Sequence, residues 1–139
     1  MLRRLIILLP FVLLFGCTST SSAPEGSIRL NFVKGKQLPS LPDSLLPIFP
    51  NPFNRASGDT SLSVQFNIKQ TTTAILLIQN ALGDEIAGFS DTALAPGFYS
   101  GHWNPIGSDG ARLNSGLYFV TLRTNSYIDS RLVNIQTNE

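Results

Sequence analysis

Apolar and polar residues alternate from residue 61 onward, and this two-residue period constrains the fold more than any other feature of the chain. Leu62, Val64, Phe66 and Ile68 alternate with polar residues. Successive side chains of a β-strand point to opposite faces of its sheet, so this segment predicts a strand with one buried face and one solvated face.

Further strand-like segments follow, separated by turn sequences at intervals of about ten residues. Residues 74–78 are apolar at every position, which predicts a central strand or one covered on both faces. The other predicted strands cover residues 85–89, 98–104, 116–123 and 127–135. No helical periodicity appears beyond the N-terminal apolar run. Seven or so short strands with this spacing predict an all-β fold, specifically a β-sandwich.

Residues 27–46 carry a weaker signal ahead of the main domain, which we place at residues 47–139. Ile28, Leu30 and Phe32 alternate with polar residues and predict a possible extra strand. Several prolines follow, and because proline cannot donate to a β-ladder we expect an extended crossover or a sheet edge. The apolar side chains expected to reach the core from this region are Leu45, Leu46, Ile48, Phe49 and Phe53.

Residues 1–16 have the three parts of a secretory signal peptide. Arg3 and Arg4 form a basic start, residues 5–15 are apolar, and the small residue Gly16 ends the segment. The alternative is a membrane-spanning helix. At about 1.5 Å per residue the apolar run covers about 16 Å, roughly half of a ~30 Å hydrocarbon core, so a signal peptide fits better.

Leu14 lies three positions before Cys17, and Gly16 lies directly before it. This arrangement resembles the lipobox of bacterial lipoproteins. The resemblance implies cleavage between Gly16 and Cys17, a diacylglyceryl group on the thiol and an acyl chain on the new amine. The alternative is an ordinary signal peptide whose cysteine lies near the cleavage point by chance.

Cys17 is the only cysteine in the chain, so no internal disulfide is possible and lipidation explains the lone thiol. Residues 17–26, rich in Ser and Thr, predict a flexible tether between the lipid and the domain. Thr18 follows the cysteine where an aspartate would favour the inner membrane. The lipoprotein resemblance therefore implies a lipid-anchored envelope protein, more in the outer membrane than in the inner one.

Charged residues make up 14% of the chain, and the net charge is +1. No basic stripe is available to neutralise phosphates, so we expect no nucleic-acid binding. With one histidine, and with the single cysteine expected to be lipidated, the chain has no free thiol for a Cys/His nucleophile pair and too few histidines for a multi-histidine metal site. We predict no cofactor and no metal.

A Ser-His-Asp triad can be drawn on paper from Ser100, His102 and Asp109. Two of them lie at i and i+2 on one predicted strand, and no Gly-x-Ser-x-Gly nucleophile turn is present. We therefore expect no enzymatic activity. Residues 107–110 resemble a calcium-binding loop only faintly, because one carboxylate is too few for such a site.

Four aromatic residues offer a possible carbohydrate-stacking face. They are Tyr99, Trp103, Tyr118 and Phe119. Aromatic side chains of a small sandwich more often fill its core, so a carbohydrate-binding module is the weaker alternative.

Three markers occur in order along residues 47–136. They are Phe49-Pro50-Asn51-Pro52-Phe53-Asn54, then Asn80-Ala81-Leu82-Gly83-Asp84-Glu85-Ile86, and then Trp103 followed by Ser115-Gly116-Leu117-Tyr118-Phe119. Together they resemble the Ig-like domain of flagellar hook-capping proteins and the related C-terminal sorting domain of the type IX (Por) secretion system. The resemblance implies a seven-stranded Ig-like Greek-key β-sandwich without enzymatic activity.

Ile75 and Leu77 depart from this family pattern, which is polar or basic at these positions. The parity of the neighbouring residues points both side chains outward, where they predict an apolar interaction patch. The alternative is that residues 27–34 or a loop cover them.

Two functions are consistent with these features. The first is a membrane-anchored interaction or structural module that docks to another envelope protein through a sheet face or an edge strand. The second is a type IX sorting domain, recognised by secretion machinery through the C-terminal strand at residues 131–135.

The lipid anchor is testable by substitution. Cys17→Ser removes the acylated thiol, so we expect the protein to leave the membrane fraction, because each buried methylene of the lost chains contributes about 0.8 kcal/mol to membrane binding. Membrane fractionation and mass spectrometry of the mature N-terminus check this. Full membrane retention of the variant, or an unmodified thiol in the native chain, would contradict lipidation.

Overall fold

The computed structural model describes residues 28–36, 41–107 and 110–137. The predicted signal peptide, Gly16, Cys17 and the tether lie outside these residues. The described residues form ten strand segments: β1 Ile28–Arg29, β2 Phe32–Gly35, β3 Ser44–Leu45, β4 Phe53–Asn54, β5 Leu62–Ile68, β6 Thr72–Asn80, β7 Glu85–Leu94, β8 Gly97–Trp103, β9 Gly116–Thr124 and β10 Ile128–Gln136.

The segments form two sheets, so the predicted all-β fold is confirmed. The six-stranded sheet has the order β1-β7-β6-β9-β10-β4, and the four-stranded sheet has the order β2-β8-β5-β3. Two short pairs, β1 with β7 and β4 with β10, are parallel, and the other pairs are antiparallel. The strand segments outnumber the seven that the family resemblance implies, since four of them have only two to four residues.

The helical content of the described residues is one 3-10 turn, Arg55–Ser57. None of these residues belongs to a helix long and apolar enough to cross a bilayer.

Side chains from both sheets fill one core between them. β6 alternates buried and half-buried residues along Thr72–Ile78, as its central position between β7 and β9 requires. Phe66 of the four-stranded sheet lies at the centre of an aromatic cluster. Its ring centroid is 5.0 Å from that of Phe32, 5.2 Å from Tyr99 and 6.4 Å from Phe89 of the opposite sheet.

The predicted solvated face of β5 is wrong at two positions, because Ser63 and Asn67 are buried. The chain that precedes β5 covers them. The Ser63 N–H donates to the Phe49 carbonyl at 2.7 Å, and the Asn67 side-chain amide donates to the Leu41 and Pro42 carbonyls at 3.1 Å each. Alternation in β5 alone could not reveal a cover that comes from another part of the chain.

Residues ahead of position 47 contribute to the same core. Leu30 and Leu45 are buried, and Phe32 packs against the buried cluster. Of the side chains expected to reach the core, Leu45, Ile48 and Phe53 are buried, whereas Phe49 is exposed. The predicted extra strand in this region is present as β1 and β2, which lie in different sheets.

A pair of leucine substitutions tests the assignment of the core. Leu76 of β6 is fully buried, whereas Leu82 at the following turn is 88% exposed. We expect Leu76→Ala to lower the free energy of unfolding by about 2–5 kcal/mol, because it removes packed methyl groups and leaves a cavity. Leu82→Ala should change it by less than about 0.5 kcal/mol. Urea unfolding followed by tryptophan fluorescence measures both, and equal losses would contradict this core.

Candidate functional site

The outward side of the six-stranded sheet carries an unusual number of exposed apolar side chains. Leu117 and Phe119 project from β9, and Ile128 and Leu132 project from β10, with exposed fractions between 39% and 68%. Their neighbours in sequence, such as Val120 and Val133, point inward and are buried.

Strand register joins these side chains into one surface. Phe119 lies opposite Leu132 in the β9–β10 pair, and Ile128 lies opposite Arg123. In the β6–β9 pair, Leu77 lies opposite Thr121 and Ile75 opposite Arg123. We call this surface the outer face and define it by six apolar residues: Ile75, Leu77, Leu117, Phe119, Ile128 and Leu132.

Ile75 and Leu77, which the sequence marked as a patch, form the half-buried part of the outer face. Residues 28–36 do not lie over them. β1 pairs with the edge of β7, and β2 belongs to the other sheet, so this segment follows the side of the domain. Leu77 packs beside Gly88, and the Glu85 carboxylate lies on the same side: a Cβ on Gly88 would lie 2.9 Å from Glu85 Oε1 and 3.5 Å from Leu77 Cδ2.

Polar side chains within the outer face already have hydrogen-bond partners inside the chain. The hydroxyls of Thr121 and Ser130 lie 2.8 Å apart across β9 and β10. The Gln79 side-chain amide donates to the Gly83 carbonyl at 3.0 Å. Because these groups are paired, burying them against an apolar partner would leave fewer unsatisfied groups and would cost less free energy.

Charge on the outer face is minimal. Among the outward-facing residues that the structure describes on β6, β9 and β10, Arg123 alone is charged. Arg123 lies between Ile75 and Ile128, and the rest of the surface on these three strands is uncharged. Exposed apolar surface with so little charge is typical of interaction sites rather than of ordinary solvated surface.

The β10 edge of the same sheet is closed by side chains. Asn51 Nδ2 donates to the Leu132 carbonyl at 2.8 Å, and the Asn134 N–H donates to Asn51 Oδ1 at 3.0 Å. This side chain extends the ladder made by β4. Farther along β10, the Ser130 N–H donates to Asp129 Oδ1 at 2.7 Å. Such contacts leave little free backbone for an added strand.

The outer edge of β3 is closed by a second group of contacts. The Leu45 N–H donates to the Tyr127 hydroxyl at 3.1 Å, and Arg131 Nη2 donates to the Leu45 carbonyl at 2.8 Å. The Tyr127 hydroxyl donates to Asp129, which also pairs with Arg131 at 2.6 Å. These side chains adjoin β10, so the contacts connect the two sheets at one corner.

Electrostatics at this corner follow from the same contacts. Burial raises the pKa of the Tyr127 hydroxyl. The hydrogen bond from Tyr127 lowers the pKa of the Asp129 carboxyl, and Arg131 acts in the same direction. Asp129 therefore stays ionised and keeps the contact at neutral pH. With β3 and β10 closed in this way, the outer face is a better docking surface than these edges.

Most of the family-motif residues hold the fold, whereas Leu117 and Phe119 of the third marker lie on the outer face. Phe53 and Trp103 are fully or almost fully buried, and the rings of Trp103 and Tyr118 make an edge contact at 6.4 Å. Gly83 takes a φ of +89° in the turn after β6, which favours glycine. Gly116 begins β9. Pro50 and Pro52 flank the Asn51 cap and follow cis peptide bonds.

The hydroxyls of two tyrosines donate to backbone carbonyls just ahead of their own strands, a contact that the sequence pattern did not predict. The Tyr118 hydroxyl donates to the Asn114 carbonyl at 3.1 Å, and the Tyr99 hydroxyl donates to the Ala95 carbonyl at 2.7 Å. This contact, from a tyrosine to the backbone four residues earlier, resembles the tyrosine corner of Greek-key sandwiches. The signal was available in the paired sequences Gly97-Phe98-Tyr99 and Gly116-Leu117-Tyr118.

The structure also places the candidates for other chemistry. Ser100 and His102 both point outward from β8, and Asp109 lies outside the described residues, as does Ser108 of the calcium-like turn. In the part of the chain that is described, no three His, Cys, Asp or Glu side chains gather. Tyr99, Trp103 and Tyr118 are buried, so the proposed carbohydrate-stacking face is wrong for these three, and only Phe119 is exposed.

A polar cleft of about 450 Å³ lies at one end of the domain. The Asp43 carboxylate connects the segments around the cleft, because it accepts hydrogen bonds from the Lys69 N–H at 2.8 Å and from the Thr124 hydroxyl at 2.9 Å. Hydroxyl, amide and charged side chains line this cleft, so it offers only scattered hydrogen-bonding groups and no aromatic platform beyond Tyr127.

Comparison with known proteins gives little beyond this geometry. No protein-family model matches the chain, and no curated protein matches it. Among solved structures, the chain is similar to PorZ of Porphyromonas gingivalis, described as an essential bacterial surface component of the type-IX secretion system. The TM-score is 0.47 and the sequence identity is 18%, over 67% of this chain and 11% of the PorZ chain. Any function proposed for this chain therefore rests on its own residues.

The tyrosine contacts predict a loss of stability at alkaline pH. An unfolded tyrosine ionises near pH 10, whereas burial raises the pKa of Tyr118 and of Tyr99 in the folded protein. The stability that they contribute is therefore complete below about pH 10 and is lost as the pH rises through the folded pKa.

Urea unfolding of the native protein and of Tyr118→Phe at pH 8 and pH 11 tests this. At pH 8 the variant should lose about 0.5–1.5 kcal/mol, because it lacks the hydrogen bond to Asn114. Between pH 8 and pH 11 it should lose less than the native protein, because it has one tyrosine fewer to ionise. An identical pH dependence of the two proteins would show that Tyr118 does not contribute.

Proposed function

We propose that this chain is a membrane-anchored envelope lipoprotein whose two-sheet domain, an Ig-like Greek-key sandwich, acts as a protein-interaction module. The observation that carries the proposal is the outer face. Leu117, Phe119 and Leu132 expose neighbouring apolar side chains on two paired strands, where solvated strands usually carry polar side chains. Ile128 adds a fourth on the same side, beyond the row of Thr121 and Ser130.

The physical basis is the free energy of the exposed surface. Apolar area removed from water contributes about 25 cal/mol per Å², and a docked partner would recover this for the outer face. The paired hydroxyls of Thr121 and Ser130 add no unsatisfied groups to such an interface. Aromatic residues are enriched at the core of protein interfaces, and Phe119 is positioned to serve as an anchor there.

The anchored state in this proposal rests on the sequence around Cys17. A lipid on this residue and a tether over residues 17–26 would hold the domain close to the membrane. Restriction to a membrane surface raises the local concentration of a partner in the same membrane, so even a modest interface can be occupied.

We propose further that the domain is not an enzyme and needs no cofactor. His102 is exposed on β8. Ser100 and His102 occupy alternate positions of one strand, and neither lines the cleft at the end of the domain.

A type IX sorting domain is the second candidate function. The observation that favours it is the resemblance of residues 131–135, within β10, to the C-terminal strand of such domains. Val133 and Ile135 of this strand are buried, so deleting β10 would destroy the fold together with any signal. Substitution of an outward-facing residue of β10, such as Leu132→Lys, changes the strand without removing its buried side chains. Measuring how much of the variant reaches the cell surface therefore separates sorting from folding.

Site-specific photo-crosslinking in the native envelope tests the interaction function. A benzophenone side chain at position 119 samples the outer face, and the matched control at position 33 replaces Val33, which is 75% exposed on the other sheet. We expect a discrete crosslinked product at position 119, at a yield about tenfold above that at position 33. Mass spectrometry identifies the product. Equal yields, or none at position 119, would contradict docking through the outer face.

A further inference from the structure

The outer face is chemically complementary to a second copy of the same surface. Most of its exposed side chains are apolar, its central hydroxyls on Thr121 and Ser130 are paired with each other, and its charged side chains are Arg123 on β9 and Glu85 on β7. A partner that recognised charge or hydrogen-bonding groups would find few of them here. The surface that this face complements is another flat, apolar and nearly uncharged sheet.

We propose that a second copy of this chain covers the outer face, with the two six-stranded sheets packed face to face about a twofold axis. This inference rests on the proposed function, because it names the partner of the same surface. Sheets that pack face to face lie about 10 Å apart, with their side chains interdigitated.

The available area is sufficient for such a dimer. β6, β9 and β10 each have nine residues. At about 3.3 Å per residue these strands are about 30 Å long, and with β7 four strands at about 4.8 Å spacing give a width of about 19 Å. The face therefore measures about 570 Å² per copy, or about 1,100 Å² for the pair. A specific interface needs about 1,000 Å² in total, so the dimer clears this limit narrowly.

The charge arrangement selects an antiparallel packing. Thr121 lies midway between Phe119 and Arg123 on β9, in the same row as Leu77 and Ser130. A twofold axis along this row, perpendicular to the strands, places Thr121 opposite its own counterpart. It also places each Arg123 over Phe119 of the second copy. The guanidinium group would then contact an aromatic ring, which is a favourable environment for a cation at an otherwise apolar interface.

The same axis avoids contact between like charges. Each Arg123 lies near one end of the strands, whereas Phe119 and Gln79 lie toward the other end. A parallel packing would place the two Arg123 side chains together, which is unfavourable in an apolar interface. The dimer is therefore defined in orientation as well as in surface.

Thiol crosslinking at the axis tests this inference on the full-length chain, purified from membranes in a mild detergent. A bismaleimide with a short spacer joins the two thiols, because sheets about 10 Å apart hold the Cα atoms beyond the roughly 7 Å limit for a direct disulfide. Thr121→Cys places a thiol where the two copies meet. The wild-type chain, whose single cysteine is Cys17, gives the background, and Ser100→Cys on the outward side of the other sheet is the matched control. We expect Thr121→Cys to form a crosslinked dimer with a yield about tenfold above that of Ser100→Cys.

Adding Phe119→Lys to Thr121→Cys should remove the trapped dimer, because it places a charge in the apolar interface. Phe119→Ala serves as a second variant, and urea unfolding of each variant shows whether the domain still folds. Trapping of Thr121→Cys no greater than that of Ser100→Cys, in folded protein, would overturn the dimer.

Photo-crosslinking at position 119 separates this failure from failure of the proposed function. If the product at position 119 contains a different protein and Thr121→Cys is not trapped, the outer face is an interaction surface and the homodimer is wrong. If neither experiment gives a product, both proposals are wrong.

Discussion

Burial of apolar side chains between two sheets is the interaction on which the rest of this structure depends. The described residues contain no cysteine, so no disulfide among them supports the fold. Phe66 sits at the centre of the core, with aromatic neighbours from its own sheet and Phe89 from the other. A domain of this size buries a limited fraction of its surface, so each large core residue contributes a substantial share of its marginal stability.

Backbone groups at the sheet edges set the second constraint, because unpaired N–H and C=O groups invite other strands to add. The Asn51 side chain hydrogen-bonds to the β10 backbone at Leu132 and Asn134. The side chains of Tyr127 and Arg131 hydrogen-bond to the β3 backbone at Leu45. These contacts come from distant parts of the sequence, so they also fix the positions of the connecting segments. The motif Pro50-Asn51-Pro52-Phe53 thereby has a structural purpose: its aromatic ring enters the core while its amide closes an edge.

Closed edges and an open apolar face together favour one kind of recognition. A face buries side chains and gains free energy from area, whereas an added strand gains it from backbone hydrogen bonds. Under the proposed lipid anchor, a face of modest area would be enough, because restriction to a membrane surface would supply the concentration that affinity would otherwise have to provide.

Sequence alone determined the strand content of this protein, since alternation in residues 62–68 and the apolar run of residues 74–78 are local properties that follow from backbone geometry. It also determined the inward parity of β6, which placed Ile75 and Leu77 on the outside. Tertiary structure decided what covers each face. Ser63 and Asn67 are buried because distant residues lie over them, and the exposed row of Leu117, Phe119, Ile128 and Leu132 exists because nothing in the described chain does. A two-residue period shows that a strand has an apolar face and a polar face, but only the packing of other elements against it determines which faces are buried.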